Sequence, residues 1–348
     1  MFHVNDNEIQ QILQDYGIVE KIRGFFELER YHYERDDPDS KEVRLIVKVE
    51  MEDRSSFVMR FKNEEDVTIE LIESQSRFAE ILQNNGILTP TQYKVDGKFA
   101  KWYRISGYDV IVTVEEFVEN ELKVVDERIA GKTGELLARM HTIAESNELH
   151  INNGVLFDPF AHNDLLAYDI FLDLEASLEG EDKVLFDKIV DKYNQYMDVL
   201  EPLKKYPRYA VQGDISNCNL YLAPSGEVGV FDFNRAGDNN LFCDAAMQAI
   251  YEARRMDYPE SRETDFEAVI LKSFLDGYCS IRSLSDTEKQ WYPYLQAIIT
   301  AFWSDDIRWN EDSLHNAHKA GDAEGVRRWL LTIWERLSAS LSEFPITT

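Results

Sequence analysis

Three cysteines, Cys218, Cys243 and Cys279, are all this 348-residue chain has; their odd number and the lack of any CxxC spacing exclude a disulfide framework and a zinc knuckle and fit a reducing cytosol. No apolar run approaches the length of a membrane span, and residues 1–20 carry Asp, Asn, Gln and Glu where a signal peptide would be apolar. A cytoplasmic protein without a membrane partner is expected. Basic residues are also few: 37 Lys and Arg against 65 Asp and Glu leave a net charge of −28, which argues against nucleic acid or an anionic membrane surface as partner. A cationic small molecule would be drawn in by the same field, although the acidity serves solubility in any case. No GxGxxG stretch occurs, so phosphates are not gripped through a glycine nest; some backbone amides or Ser40, in the acidic turn Arg35–Lys41 with its Pro38, stand as alternatives.

What the chain does contain is Val211-Gln212-Gly213-Asp214-Ile215-Ser216-Asn217-Cys218-Asn219, followed by Val230-Phe231-Asp232-Phe233-Asn234. An Asp with an Asn five residues on, then an Asp-Phe pair beyond a short hairpin, is the spacing of a phosphoryl-transfer loop and its metal motif. Leu220-Tyr221-Leu222 and Val228-Gly229-Val230-Phe231 read as two short strands joined by Ala223–Glu227, with Pro224 and Ser225-Gly226 making the turn. A hairpin centred near Ser225 is expected to set Asn219 opposite Asp232. An amide oxygen and a carboxylate there form a hard oxygen site suited to Mg²⁺. Asp214 would accept a proton from an attacking hydroxyl or align it. The bland reading is a structural loop capped by polar side chains, with Cys218 a buried filler.

Around this segment the hydrophobic period changes. Asn7–Tyr16 reads as a short helix; Phe25–Glu34, Val43–Glu50 and Ser56–Lys62 as an antiparallel meander; Asp66–Asn85 as a helix stopped by Gly86; Phe99–Ile105 and Val110–Phe117 as strands. Beyond Phe117 helices dominate: Val125–His141, Val184–Leu203, Phe242–Arg255, Asp265–Tyr278, Lys289–Trp309 and Gly325–Leu341. The chain is long enough for two cores. An α+β protein is expected, with residues 1–118 a nucleotide-binding lobe built on a small antiparallel sheet. Residues 119–348 would form a mostly helical lobe carrying the catalytic loop and acceptor site.

A nucleotide held by so acidic a protein needs local cations. Strand alternation puts Val58, Arg60 and Lys62 on one face and leaves Phe57, Met59 and Phe61 to pack against the 66–85 helix. Arg60 is the first candidate for the phosphates, Lys62 the second; Glu73 is favoured over Gln75 as the helix partner because a carboxylate completes a charge-assisted pair. The bland alternative is a solvated strand arginine.

With these parts in place the chain resembles the aminoglycoside phosphotransferase and choline kinase family over roughly Gly24–Trp309. Gln212-Gly213-Asp214 with Asn219 is similar to its His-Gly-Asp-x4-Asn motif, and Val230-Phe231-Asp232-Phe233 to its second metal motif. Leu137–His141 is similar to its Leu-x-x-x-His helix end, which packs beneath the catalytic loop, and Gly86–Pro90 to its Gly-(apolar)-x-x-Pro stretch. The resemblance implies a two-lobed protein-kinase-like fold and ATP- or GTP-dependent phosphorylation of a small-molecule hydroxyl. It makes Asp214 the catalytic carboxylate, Asn219 and Asp232 the Mg²⁺ ligands, Glu116, Phe117 and Val118 the adenine hinge, and Asp244 a structural anchor. Two departures stand out: Gln212 replaces a His that buttresses the loop, and Arg60 stands where Lys is common, a planar guanidinium for a point charge.

Two substrate signals remain. Ala301–Trp309 combines aromatics and acids that could hold an ammonium; alternatively Phe302 and Trp309 fill the core and the acids face water. His315 and His318 are too few for a metal site and read as a surface helix. The rival from another class is a pseudokinase, a nucleotide- or partner-binding module without turnover, motivated by Gln212, Arg60 and the lack of a glycine loop. A phosphohydrolase using the same metal site is a third reading.

Overall fold

A computed structural model describes residues 1–31, 41–161, 165–215, 217–255, 266–339, 341 and 344–345. Ser40, Asp265 and Ser216 lie outside the described residues. By internal contacts the chain divides into two compact units, residues 1–122 with 218–234, and residues 123–217 with 235–348.

In the first unit, α1 (Asp6–Asp15) begins at a reciprocal cap: Asn5 Oδ1 accepts the Glu8 N–H, and the Glu8 carboxylate accepts the Asn5 N–H. Strands β1 (Ile22–Arg30), β2 (Val43–Met51) and β3 (Phe57–Asn63) follow as the expected meander. After them come α2 (Ile69–Asn84), capped by Thr68, then β4 (Ala100–Ile105) and β5 (Tyr108–Glu116). The sheet order is β1-β2-β3-β5-β4, antiparallel throughout, so β3 is central and β4 an edge. Register sets Arg60 between Ile46 and Thr113, and Lys62 between Arg44 and Ile111.

Phe57, Met59 and Phe61 share a face as expected, but the helix they meet is different. They cluster with Ile9, Ile12 and Leu13 of α1, while Ile72 of α2 packs against Ala100 and Ile111 on the face that carries Arg60 and Lys62. The physical reason is that α1 brings three buried aliphatics to one stripe. Each is worth roughly 1.5–3 kcal/mol when removed from water. That closes the apolar face and leaves α2 beside the cations.

The second unit opens with α3 (Glu127–Ser146), a single turn and a half α4 (Tyr168–Leu172), α5 (Gly180–Leu200) and β6 (Tyr209–Val211). The chain then re-enters the first unit as the hairpin β7 (Leu220–Leu222) and β8 (Val228–Val230). It continues in the second with β9 (Gly237–Asn239), α6 (Leu241–Arg255), α7 (Phe266–Ile281), α8 (Asp286–Ala301), α9 (Leu314–Lys319) and α10 (Ala323–Ser338). The hairpin is not alone among the helices: β6 and β9 form a second two-stranded sheet, too short to read from alternation. Expected as continuous to Trp309, α8 ends at Ala301 and a π-helical turn, Asp305–Trp309, follows. Helices α3 and α7 cross at glycines; a Cβ on Gly134 would stand 1.9 Å from the Phe274 carbonyl oxygen and one on Gly277 2.0 Å from that of Gly131.

Candidate active site

The hairpin forms with the turn its sequence specifies. Ala223 O accepts the Gly226 N–H at 2.8 Å, and Gly226 takes the left-handed conformation that a side chain would resist. Its register differs from expectation by one residue. Leu220 pairs with Val230 and Asn219 O accepts the Phe231 N–H at 2.9 Å, so Asn219 stands opposite Phe231 rather than Asp232. Asp232 lies beyond the ladder with φ 56°, a left-handed backbone that Asp tolerates better than most residues. Its Oδ1 accepts the Asn234 N–H at 3.1 Å. Val230 donates to Leu88 O at 2.9 Å, which ties the hairpin to the Gly86–Pro90 stretch.

Arg60 is 8% exposed and does not pair with Glu73. Glu73 instead accepts the Ala100 N–H at 2.7 Å, holding α2 to the start of β4. The guanidinium donates through Nη1 to Glu115 Oε1, and its Nη2 lies 3.8 Å from Asp232 Oδ2. Gln92 donates to Glu115 Oε2. Burial opposes the Arg60 charge, but Glu115 and Asp232 more than offset it and make the guanidinium more basic than usual. Lys62 donates to Asn234 Oδ1, and burial, then the neighbouring Arg60, pull its ammonium down to about 8. Gln75 of α2 donates to Asn234 O at 2.9 Å. A cavity of about 30 Å³ is lined by Arg60, Lys62, Gln75, Gln92, Glu115 and Asn234 among others.

Of the hinge residues, Glu116 donates its N–H to Thr91 O and Phe117 to Ser56 O, while Lys48 Nζ sits 3.9 Å above the Phe117 ring. The Val118 N–H has no hydrogen-bond partner among the described residues. The donor set of Asp232 carboxylate and Asn219 amide is hard oxygen, and Asp232 keeps part of its surface exposed. This chemistry fits Mg²⁺ retaining water and phosphate oxygens.

In the second unit, Asp214 sits in a loop whose backbone is tied on both sides of the carboxylate. Gln212 Oε1 accepts the Asp214 N–H at 2.8 Å, so the residue in the His position still buttresses the loop. Gly213 has φ 77°, and a Cβ there would stand 3.0 Å from Arg235 O. Ile215 donates to Gln248 Oε1 at 3.0 Å; Gln248 donates to Asp244 Oδ1 at 3.4 Å; His141 Nε2 and Asp244 Oδ2 are 3.0 Å apart; and Tyr278 OH meets His141 Nδ1 at 2.9 Å. The anchor expected at Asp244 is thus one link in a buried chain from α7 through α3 and α6 to the loop. The cap of α6 itself is Asn240, whose Oδ1 accepts the Phe242 and Cys243 N–H groups. Cys218 is exposed, not a buried filler.

The Ala301–Trp309 stretch follows neither reading fully. Phe302 is core, in edge-to-face contact with Tyr168, Phe171 and Tyr193, but Trp309 is 58% exposed. The acids are engaged: Asp306 pairs with Arg336 at 2.7 Å and lies 3.8 Å from Arg254, and Asp305 accepts the Trp303 indole N–H at 3.3 Å. Arg254 itself covers the Trp303 ring.

Glu115, Gln92, Asn234 and Gln248 were not legible in advance. The signal for Glu115 existed, because it shares a strand face with Thr113, but only the register brings that face to Arg60.

This fold is shared with solved kinases of small molecules. An amicoumacin kinase in complex with AMP-PNP, Ca²⁺ and Ami matches at 16% identity over 86% of each chain, with a TM-score of 0.55. A microcompartment-associated aminopropanol kinase matches at 14% identity over 96% of this chain and 95% of its own, TM-score 0.57. A spectinomycin phosphotransferase bound to ADP and spectinomycin matches at 12% over 96% and 99%, TM-score 0.51. No curated protein is similar at the level of sequence. The architecture is protein-kinase-like. The profile of the phosphotransferase enzyme family matches residues 43–284, most of the chain, and the protein belongs to that family. No helix among the described residues is long and apolar enough to cross a membrane.

Proposed function

We propose that this protein transfers the γ-phosphoryl group of ATP, or GTP, to a hydroxyl of a small molecule in the cytoplasm. The observation that carries the reading is the pair of buried cations Arg60 and Lys62 on one strand face, in the same unit as the hairpin that bears Asn219 and Asp232. Arg60 and Lys62 hold the phosphates, and the Val118 N–H is the hinge donor left for the base. Asn219 and Asp232 would hold Mg²⁺, which, when bound, neutralises charge on the phosphates. Asp214, fixed through its own N–H by Gln212, orients the acceptor hydroxyl and takes its proton. The acceptor belongs to the mostly helical lobe expected over residues 119–348, and an amine-bearing acceptor suits the net charge of −28. Neither nucleic acid nor membrane is a partner in this reading.

One observation favours the pseudokinase. Arg60 already faces Asp232 at 3.8 Å, a carboxylate that a metal ion would need. Mg²⁺-dependent transfer from ATP and GTP to a panel of aminoglycosides, amino alcohols, sugars and nucleosides, read by product mass beside Asp214→Asn, decides between them. A phosphorylated product formed only by the unmutated chain supports the kinase. Nucleotide binding indifferent to Mg²⁺, with no product, supports the silent module.

A further inference from the structure

We propose that Glu115 of β5 is the positioning residue for the phosphate-binding cation Arg60, a task that helix α2 does not perform in this protein. The inference rests on the nucleotide reading of Arg60 given above and adds how that cation is held.

A guanidinium this buried needs a counter-charge in direct contact. Each acid of α2 is committed or remote: Glu70 is exposed, Glu73 accepts the Ala100 N–H, and Glu80 pairs with Lys94. Of α2, Ile72, Gln75, Ser76 and Ala79 line the same cavity as Arg60, none of them an acid, and the Gln75 amide donates to the Asn234 carbonyl. Glu115 supplies the charge from the sheet itself. Arg60 is cross-strand from Thr113, and Glu115 lies two residues further along the same face, within reach of Nη1. Gln92 occupies the second carboxylate oxygen and fixes the plane of the carboxylate. With Nη1 held this way, Nη2 is directed toward Asp232, and Nε is buried with no hydrogen-bond partner among the described residues. The grip on phosphate is therefore built within β3 and β5, and the place of the cation does not depend on where α2 lies.

The test measures ATP and GTP affinity, each with Mg²⁺, by calorimetry on the full chain and its variants. Glu115→Gln is expected to weaken nucleotide binding about tenfold, the worth of one charge-assisted contact. Arg60→Ala loses at least as much, and the double variant binds as Arg60→Ala alone because Glu115 acts only through Arg60. Glu115→Asp, which keeps the charge one methylene further back, falls between and serves if Glu115→Gln does not fold. Adding Gln75→Glu to Glu115→Gln restores part of the affinity by bringing an acid from α2 into the cavity. Wild-type affinity in both Glu115 variants while Arg60→Ala binds poorly overturns the assignment and leaves the function standing; so does a double variant whose loss is the sum of the singles. An unmutated chain that binds neither nucleotide overturns the function and this inference together.

Discussion

Gln248 of α6 accepts the N–H of Ile215 at 3.0 Å, the residue next to Asp214, and passes that contact through Asp244 to His141. The loop carrying the candidate catalytic carboxylate is thus held by side chains of α6 and α3. Gln248→Leu strands a buried N–H, at a cost of about 1–3 kcal/mol in stability. In a steady-state assay kcat should fall roughly tenfold with little change in KM for ATP, since Asp214 moves and the nucleotide cations do not. A changed KM with unchanged kcat would refute the link.

Asp214→Asn removes the group proposed to take the hydroxyl proton and preserves its shape. Transfer should fall by about 10²–10⁴-fold, the usual worth of a positioned base. Calorimetric affinity for ATP with Mg²⁺ should stay within twofold or so, the resolution at which binding is unaltered.

Gly213 must keep its left-handed backbone at φ 77°, and its missing Cβ leaves room for Arg235 O. Gly213→Ala should cost on the order of 1–2 kcal/mol from conformation alone, more with the 3.0 Å contact, visible as a lower denaturant midpoint.

Lys62 titrates near 8 in the free protein because burial, and then Arg60, disfavour its charge. Below that pH it is charged and ready for phosphate; above it the ammonium must be remade. ATP affinity should therefore decline as pH rises through about 8, with a proton taken up on binding between there and the ordinary lysine range. Calorimetry in two buffers of different ionisation enthalpy measures the uptake, and Lys62→Met should abolish it.

Glu252 is fully buried on α6, and burial lifts its pKa well above the usual value, against a smaller lowering by a hydrogen bond from Thr133. A raised folded-state pKa means stability that is complete below the unfolded value and lost as pH rises through the folded one. Glu252→Gln should therefore gain on the unmutated chain with rising pH, by at most about 1.4 kcal/mol per pH unit. Urea titrations at several pH values give the slope; parallel curves would show that Glu252 is not the group responsible.

Much of the first unit and the helical character of the second was legible from local pattern, because hydrophobic period, caps and turn residues act within a few positions of the chain. Gly86 after the helix and Pro224 with Gly226 in the hairpin each mark an end or a turn by their own chemistry, whereas the caps Asn5 and Thr68 lie two residues from the expected helix starts Asn7 and Asp66. The very short strands β6 and β9, and the break after Ala301, carry too few residues for any period to show.

The sequence by itself determined which residues could do chemistry: Asp214, Asn219 and Asp232 in their spacing, and Arg60 and Lys62 on one strand face. Tertiary structure alone decided their partners. Arg60 went to Glu115 rather than Glu73, α1 rather than α2 covered Phe57, Met59 and Phe61, and the hairpin register set Asn219 against Phe231. Alternation along a strand specifies a face; the neighbour across that face depends on strand order and register, which are set by packing between residues far apart in the chain.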